Sequence, residues 1–525
     1  MTHCRHLWFW LIAAALPLAA RAQPTAPPAG RSVTITVEVN KPTNTMRGGM
    51  GASWHAIEAA LPCGFKEPGH KWFTEAGSAW GAYPPAEDER AWQQIYRHAD
   101  WLGLDWNRVE IEQRIYEPER GQFTFDSPEM RILCRILDWN QRRGADVFFQ
   151  QMWCDTAWLA YPELRDDPAK RIHSAPVDID AFADGLAKLM AYLIHERGYT
   201  CIKYLCIVNE PGANFSWWQA PPNQPLSIGA GLAAVRRALD RRGLSLPLSG
   251  PDMNVGFPGG VPGQRFDYLG QLGAYDFHNY GADFDFRTKG AIARQEGNAA
   301  KWAAFAHEAG KPLFLSEYGT MAYGWKPDKA GPGSPPAVLA GSELVLRMAN
   351  AGVDGFNRWS FLNRGDCDGQ WQLVDTWNMR EKKLLNDFPP HPNSYFSLGL
   401  LSRFTAKNST VLASRVEGGS LPPWQRVFCA AFQSPRGELT VAVVNDASES
   451  FDLKLALNAL PKKVTLQRYR YGEPERDHAD VKINPEAAYP LNPVSGNLND
   501  TLPPGSLTIY STYKLNHDEP GVISE

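Results

Sequence analysis

The chain has 525 residues, 44% hydrophobic and 21% charged, the balance of a globular protein large enough for about two to four domains. Its 53 Lys and Arg stand against 57 Asp and Glu, a net charge of −4, which leaves no basic stripe for nucleic acid or anionic lipid. Aromatic residues stand out instead, with 19 Trp, 18 Tyr and 24 Phe.

The first residues read as an export signal. Arg5 precedes an apolar stretch from Leu7 to Ala15, and Ala20-Arg21-Ala22 supplies a small-x-small cleavage site, with Gln23 as the expected mature start. The apolar run is too short for a membrane anchor and Pro17 interrupts it. The expected destination is therefore the periplasm or the medium. Residues 24–30 are a Pro/Ala-rich leader, and Val33 to Val39 reads as an isolated strand.

From about residue 45 to 388, short apolar runs alternate with helical patterns. The expected strands are Gly51 to Trp54, Leu104 to Ile111, Asp146 to Trp153, Ile202 to Asn209, Leu246 to Met253, Ala274 to Tyr280, Pro312 to Tyr318 and Asp354 to Phe361. Helices are expected over Ala86–Leu102, Met130–Arg143, Ile179–Arg197, Gly229–Arg242, Ala291–Ala309 and Ala337–Ala351. Gly144, Gly198, Gly243, Gly310 and Gly352 sit where helices stop. Strand-helix units in this number close into a (β/α)8 TIM barrel, whereas a doubly wound sheet usually has fewer strands. After Pro389-Pro390-His391-Pro392 the pattern becomes short alternating strands with turn clusters and no long amphipathic helix. Residues 389–525 are thus expected to form a C-terminal antiparallel β-sandwich domain, which the strand within residues 23–44 would join.

Chemistry in such a barrel sits at the C-terminal ends of its strands. Two carboxylates fall there. Cys206-Ile207-Val208-Asn209-Glu210-Pro211 ends the fourth strand, and Leu313-Phe314-Leu315-Ser316-Glu317-Tyr318-Gly319 ends the seventh. An apolar run leading straight into a carboxylate is costly unless the charge is paired or used. One such Glu could serve an ion pair; two, across one barrel mouth and flanked by aromatics, point to catalysis.

These motifs resemble clan A of the glycoside hydrolases, retaining (β/α)8 enzymes. The resemblance rests on Asn209-Glu210-Pro211 and Glu317, supported by Arg108 on the second strand, His278-Asn279-Tyr280 on the sixth and Trp359 on the eighth. In Tyr395 to Leu400 and Leu502 to Leu507 the trailing domain is similar to those of families thirty and thirty-nine. The resemblance implies that Glu210 is the acid/base and Glu317 the nucleophile, about 5–5.5 Å apart across one sugar ring. It further implies that Asn209 bonds the sugar 2-hydroxyl, and that Arg108 and Tyr280 orient Glu317 and keep it ionised. His278, Trp359, Trp153 and Trp54 complete the expected substrate-binding set, with Trp217, Trp218 and Trp371 as further platforms. Asp252, Asn254 and Gln151 are expected to meet substrate hydroxyls.

The expected activity is cleavage of β-linked glycosidic bonds in a poly- or oligosaccharide by double displacement. A non-catalytic carbohydrate-binding protein on the same barrel is the alternative. No metal, cofactor, nucleic acid, membrane or protein partner is implied. Gly229 to Ala234 matches a dinucleotide fingerprint but follows a loop instead of a strand, and His195-Glu196 and His307-Glu308 lack the second His of a zinc-protease helix. Asp366-Cys367-Asp368-Gly369 reads as a turn more readily than as a calcium loop. Cys63 and Cys367 follow the first and eighth strands, so a disulfide across the mouth and two free thiols both remain open.

Overall fold

The computed structural model describes residues 31–55, 83–152, 154, 156–211, 217–219, 228–254, 256–280, 290–320, 333–362, 371–378, 381, 383–421, 424–472 and 483–513. The export signal, Cys63, Trp153, Cys367 and the Asp366–Gly369 turn lie outside these residues. Among the described residues, Cys134, Cys154, Cys201, Cys206 and Cys429 are buried, and no helix is long and apolar enough to cross a membrane.

Strand β1 is Ser32–Met46. Eight strands then form a closed parallel barrel: β2 Gly49–His55, β3 Trp106–Ile111, β4 Asp146–Gln151, β5 Ile202–Cys206, β6 Leu248–Met253, β7 Ala274–Tyr280, β8 Leu313–Gly319 and β9 Gly355–Arg358. β9 pairs back onto β2, so no edge is left open. Side chains alternate between the barrel interior and the helical layer. On β2, Ser53 and His55 point inward, where they meet Asn357 and Glu110, while Trp54 points outward onto Trp139. Below the mouth, Trp106, Phe148, Tyr204 and Phe314 pack ring against ring at centroid distances of 5.2–6.1 Å, filling the interior and leaving no pore.

Local chemistry sets the helix limits. Helix α1 (Glu89–Leu102) starts on Asp88, whose carboxylate accepts from the Ala91 N–H, and α2 (Pro128–Arg143) starts on Ser127 with Pro at its first turn. Gly144 ends α2 at φ 73°, a left-handed conformation that costs glycine nothing, and its N–H closes onto the Asn140 carbonyl. The remaining long barrel helices are α3 (Ile179–Ala191), α4 (Ile228–Arg241), α5 (Gly290–Glu308) and α6 (Pro335–Asn350). The glycine pattern at 229–231 belongs to the start of α4. A Cβ on Gly231 would come within 2.5 Å of the Trp218 ring, so its small size serves helix packing.

The C-terminal domain is one nine-stranded sheet. Its strands are β1 with β10 Ser409–Gly418, β11 Val427–Gln433, β12 Leu439–Asn445, β13 Phe451–Asn458, β14 Val464–Gly472, β15 Ala487–Leu491, β16 Asn497–Leu502 and β17 Ser506–Ser511. Their order is β15-β14-β17-β12-β11-β10-β1-β13-β16. One face encloses a core of its own, including Val33, Ile35, Val37, Val441, Val443, Leu453, Leu455 and Leu498. The other face, with Phe428, Phe432, Val444 and Ile509, packs into the barrel's apolar core. Two features differ from the sequence reading. The sheet is mixed, because β1 runs parallel to β13 while antiparallel to β10. Residues Ser394–Ser402 form helix α7, an element that the expected sandwich of short strands does not include. All nine are buried between α1 and the sheet, its serines included, so the helix shows no amphipathic period. The Tyr395 ring stacks on Trp101 at 4.7 Å.

Gly51 marks the tightest approach in the barrel wall. A Cβ there would lie 1.9 Å from the Trp106 carbonyl oxygen, which is backbone and cannot rotate away. Gly51→Ala is expected to cost about 3 kcal/mol of stability or more, read from the urea midpoint of unfolding.

Candidate active site

Five strand ends, those of β3, β5, β6, β7 and β8, bring charge to the barrel mouth, and two irregularities in the ladder aim it. Between β7 and β8 the register slips by one residue at Ser316, so that Ser316 and Glu317 both face inward. Between β6 and β7 the extra residue is Asp252, at φ 55°. Glu210 likewise has a left-handed backbone, φ 47°, held by its N–H to the Asp252 carbonyl at 3.0 Å. Positive φ at two non-glycine residues is strained backbone, and both belong to this site.

Arg108 lies at the centre, with no exposed surface. Its Nη1 donates to Glu317 and to Glu110, and its Nη2 donates to Asn209 Oδ1 at 2.7 Å and Asp252 Oδ2 at 3.2 Å. The other oxygen of Glu317 accepts from the Tyr280 hydroxyl at 2.6 Å. His278 Nδ1 lies 2.7 Å from Glu210 Oε1 and 3.2 Å from Glu317 Oε2. Side-chain oxygens of Glu210 and Glu317 are thus within 4.8 Å of each other. Trp359 meets His55 edge-on at 4.9 Å, and Trp371 meets Tyr280 edge-on at 5.2 Å, so aromatic rings flank the carboxylates.

Burial acts first on the Glu317 carboxyl. Together with the charges of Glu210 and Glu110 it outweighs the pull of His278 and Arg108, and the pKa is pushed up to about 7. Burial also disfavours the His278 imidazolium, yet Asp252 and Glu317 overcome it and hold the ring well above its ordinary range. For Asp252, His278 and Arg108 outweigh burial and keep the carboxyl below its usual value. Two triplets have metal-ligand atoms close enough to share an ion: Glu210, His278 and Glu317, and below them Cys206, Asp252 and Asp276. In the upper triplet the ligand atoms are already bonded to Arg108, Tyr280 and one another, and a cation would meet the fixed charge of Arg108.

The site unites Arg108, Asn209, Glu210, His278, Tyr280, Glu317 and Trp359. It does not include Trp54, which is fully buried outside the barrel wall between Trp139 and Phe361. Strand parity explains this, since its neighbours Ser53 and His55 take the inward positions. Trp217 and Trp218 pack on each other and on Phe182. Gln151 is buried against Tyr116, and Asp252 lies beneath the mouth with no surface open to substrate. Asn254 is half-buried just past β6. The sequence reading placed Asp252 at the substrate and did not mark Asp276 or Ser316, which join it in a polar floor around His278. Its signal was present in the alternation of Asp276 and His278 along an otherwise apolar strand.

No family model matches the chain, and no curated protein matches it by sequence. Solved structures do match in fold. A glycoside hydrolase family 30 subfamily 8 xylanase from Clostridium acetobutylicum superposes with a TM-score of 0.59 at 14% identity, covering 91% of this chain and 99% of that one. The family 30 xylanase C catalytic domain from Talaromyces cellulolyticus gives 0.59 at 14%, covering 92% and 100%. A family 51 α-L-arabinofuranosidase from Thermotoga petrophila gives 0.57 at 12%, covering 91% and 100%. The chain therefore has the fold of these glycoside hydrolases, a closed (β/α)8 barrel with a C-terminal β-sheet domain. That likeness extends over nearly the whole of each protein.

Removing Arg108 strands Glu110, Asp252 and Glu317 in a buried site. Arg108→Leu is expected to lose about 3–5 kcal/mol of stability near neutral pH. Protonation relieves stranded carboxylates, so the loss should shrink as pH falls from 8 to 5, measured by urea unfolding at each pH.

Proposed function

We propose that this chain is an exported, retaining glycoside hydrolase that cleaves β-linked bonds in a poly- or oligosaccharide. The observation that carries the reading is the approach of the Glu210 and Glu317 oxygens to within 4.8 Å at the barrel mouth. That spacing suits direct attack on one sugar, whereas inversion needs about 6.5–9.5 Å to admit a water. The fold neighbours, xylanases and an arabinofuranosidase, agree with a carbohydrate substrate.

The roles follow from partners. Glu317, gripped by Arg108 and Tyr280, is the nucleophile: its carboxylate oxygen bonds to the anomeric carbon as the glycosidic C–O bond breaks. Glu210 gives its proton to the leaving oxygen. In the second step Glu210 takes a proton from water, the water oxygen bonds to the anomeric carbon, and the ester to Glu317 breaks. Asn209, with its oxygen committed to Arg108, turns its amide N–H toward the sugar 2-hydroxyl. Trp359 and Trp371 line the apolar side of the sugar.

A panel of aryl β-glycosides and plant or algal polysaccharides tests the reading. Turnover is expected on at least one, with retained configuration in the first product by proton NMR. Glu317→Gln should lose at least about 10³-fold in kcat, by analogy with other transition-state charge contacts. A lectin would bind a sugar from the panel with no turnover to lose, and an inverted product would contradict the mechanism.

The pH profile supplies a second test. Glu317 must be ionised to attack, so with a dinitrophenyl glycoside, whose leaving group needs no proton, kcat/KM should fall as pH drops through about 7. Because the charge of Glu210 is one cause of that raised value, Glu210→Gln should move the midpoint to lower pH.

A further inference from the structure

Beneath the two glutamates lies a group of buried residues that the double-displacement mechanism leaves without a task. Asp252 has no exposed surface, so it cannot meet substrate, yet it organises five neighbours. Its Oδ1 lies 2.8 Å from His278 Nε2 and accepts from Ser316 Oγ at 3.2 Å. Its Oδ2 accepts from Arg108, its carbonyl accepts from the Glu210 N–H, and its own N–H donates to Asp276 Oδ1 at 2.8 Å. His278 is bonded at both ring nitrogens, to Asp252 on one side and to Glu210 on the other.

We propose that Asp252 is a positioning residue that acts through His278 on Glu210, forming a line of hydrogen bonds that keeps the acid/base's working proton in place and aims its carboxyl at the leaving group. The proposal rests on the glycosidase reading and assigns the proton's support within it. The proton is shared between His278 Nδ1 and Glu210 Oε1. That one proton passes by way of Glu210 to the leaving oxygen as the glycosidic bond breaks, which leaves Glu210 ionised, ready to act as base, and a neutral ring still bonded to Asp252 through Nε2–H. The water proton taken in the second step restores it.

The surroundings make Asp252 the charged end of the line. Around His278 stand Arg108 from β3, Cys206 of β5 with Glu210 just beyond it, Asp252 from β6, Asp276 and Tyr280 from its own strand, and Glu317 from β8. Burial first, and then the charge of Asp252, push the Asp276 carboxyl well above its ordinary range, so of the two Asp276 holds a proton more readily. Asp252 keeps its charge because Arg108 and His278 face it. The bulge at residue 252 gives the arrangement its geometry: the same backbone unit that directs the carboxylate at His278 offers its carbonyl to Glu210.

Asp252→Asn removes the charge with little change of shape. On a substrate that wild type turns over, the basic limb of kcat/KM should move to lower pH by about one unit or more, the size expected for loss of a neighbouring charge. The variant should also lose at least about tenfold more kcat on a phenyl glycoside than on the dinitrophenyl glycoside, because only the former needs the proton. Equal losses on both substrates with an unmoved basic limb would overturn the proposal and leave Asp252 a structural residue. His278→Gln gives the same two readouts should Asp252→Asn fail to fold, and a wild-type-like leaving-group ratio there would also overturn it. If wild type turns over no glycoside, the glycosidase reading itself fails, a result distinct from either of these.

Discussion

A guanidinium with no access to water holds this site together. Arg108 reaches Glu110 on its own strand, Asn209 beyond β5, Asp252 on β6 and Glu317 on β8. Carboxylates buried without such a partner would each carry a desolvation cost of several kcal/mol. The planar fork of an arginine suits the task, since it can direct several N–H groups at once along fixed lines, which an ammonium cannot. Removing water strengthens each of these contacts while making any vacancy among them expensive.

The charge balance around Arg108 explains why neighbouring carboxyls differ. Glu317 is drawn up by burial and by like charges, Asp276 is raised by burial and by the charge of Asp252, and Asp252 is held down by the two cations it faces. Carboxyls in one small volume are thus shifted in opposite directions because their neighbours differ. The scaffold fixes those neighbours: two slips in the β-ladder, at Asp252 and Ser316, turn side chains inward that strict alternation would direct into the helical layer.

The barrel was largely legible because strand and helix periods are local properties of the chain. All eight strands fall within the expected runs or differ by a residue or two at their ends, and the glycines at 144, 198, 243, 310 and 352 all adopt positive φ. Glu210 and Glu317 stood out because a carboxylate at the end of an apolar run has few inexpensive explanations, while Arg108 and Tyr280 were marked only through the family resemblance. What could not be read was direction. Trp54 and His55 are adjacent and both at a strand end, yet they face opposite sides of the wall, and only the pleat decides which. The bulges were equally hidden, since an extra residue in a ladder leaves no mark in composition. Helix α7 escaped because burial on every side erased its period.

The parallel pairing of β1 with β13, beside its antiparallel pairing with β10, has a consequence for how the molecule is put together. The first of the described strands waits for partners that are made only after the whole barrel has been synthesised. It therefore spends translation as an unpaired edge, and the late sheet closes around it as a template already in place. For the same reason the sheet is no detachable module: a cut after the barrel would remove most of its strands and orphan the one left behind.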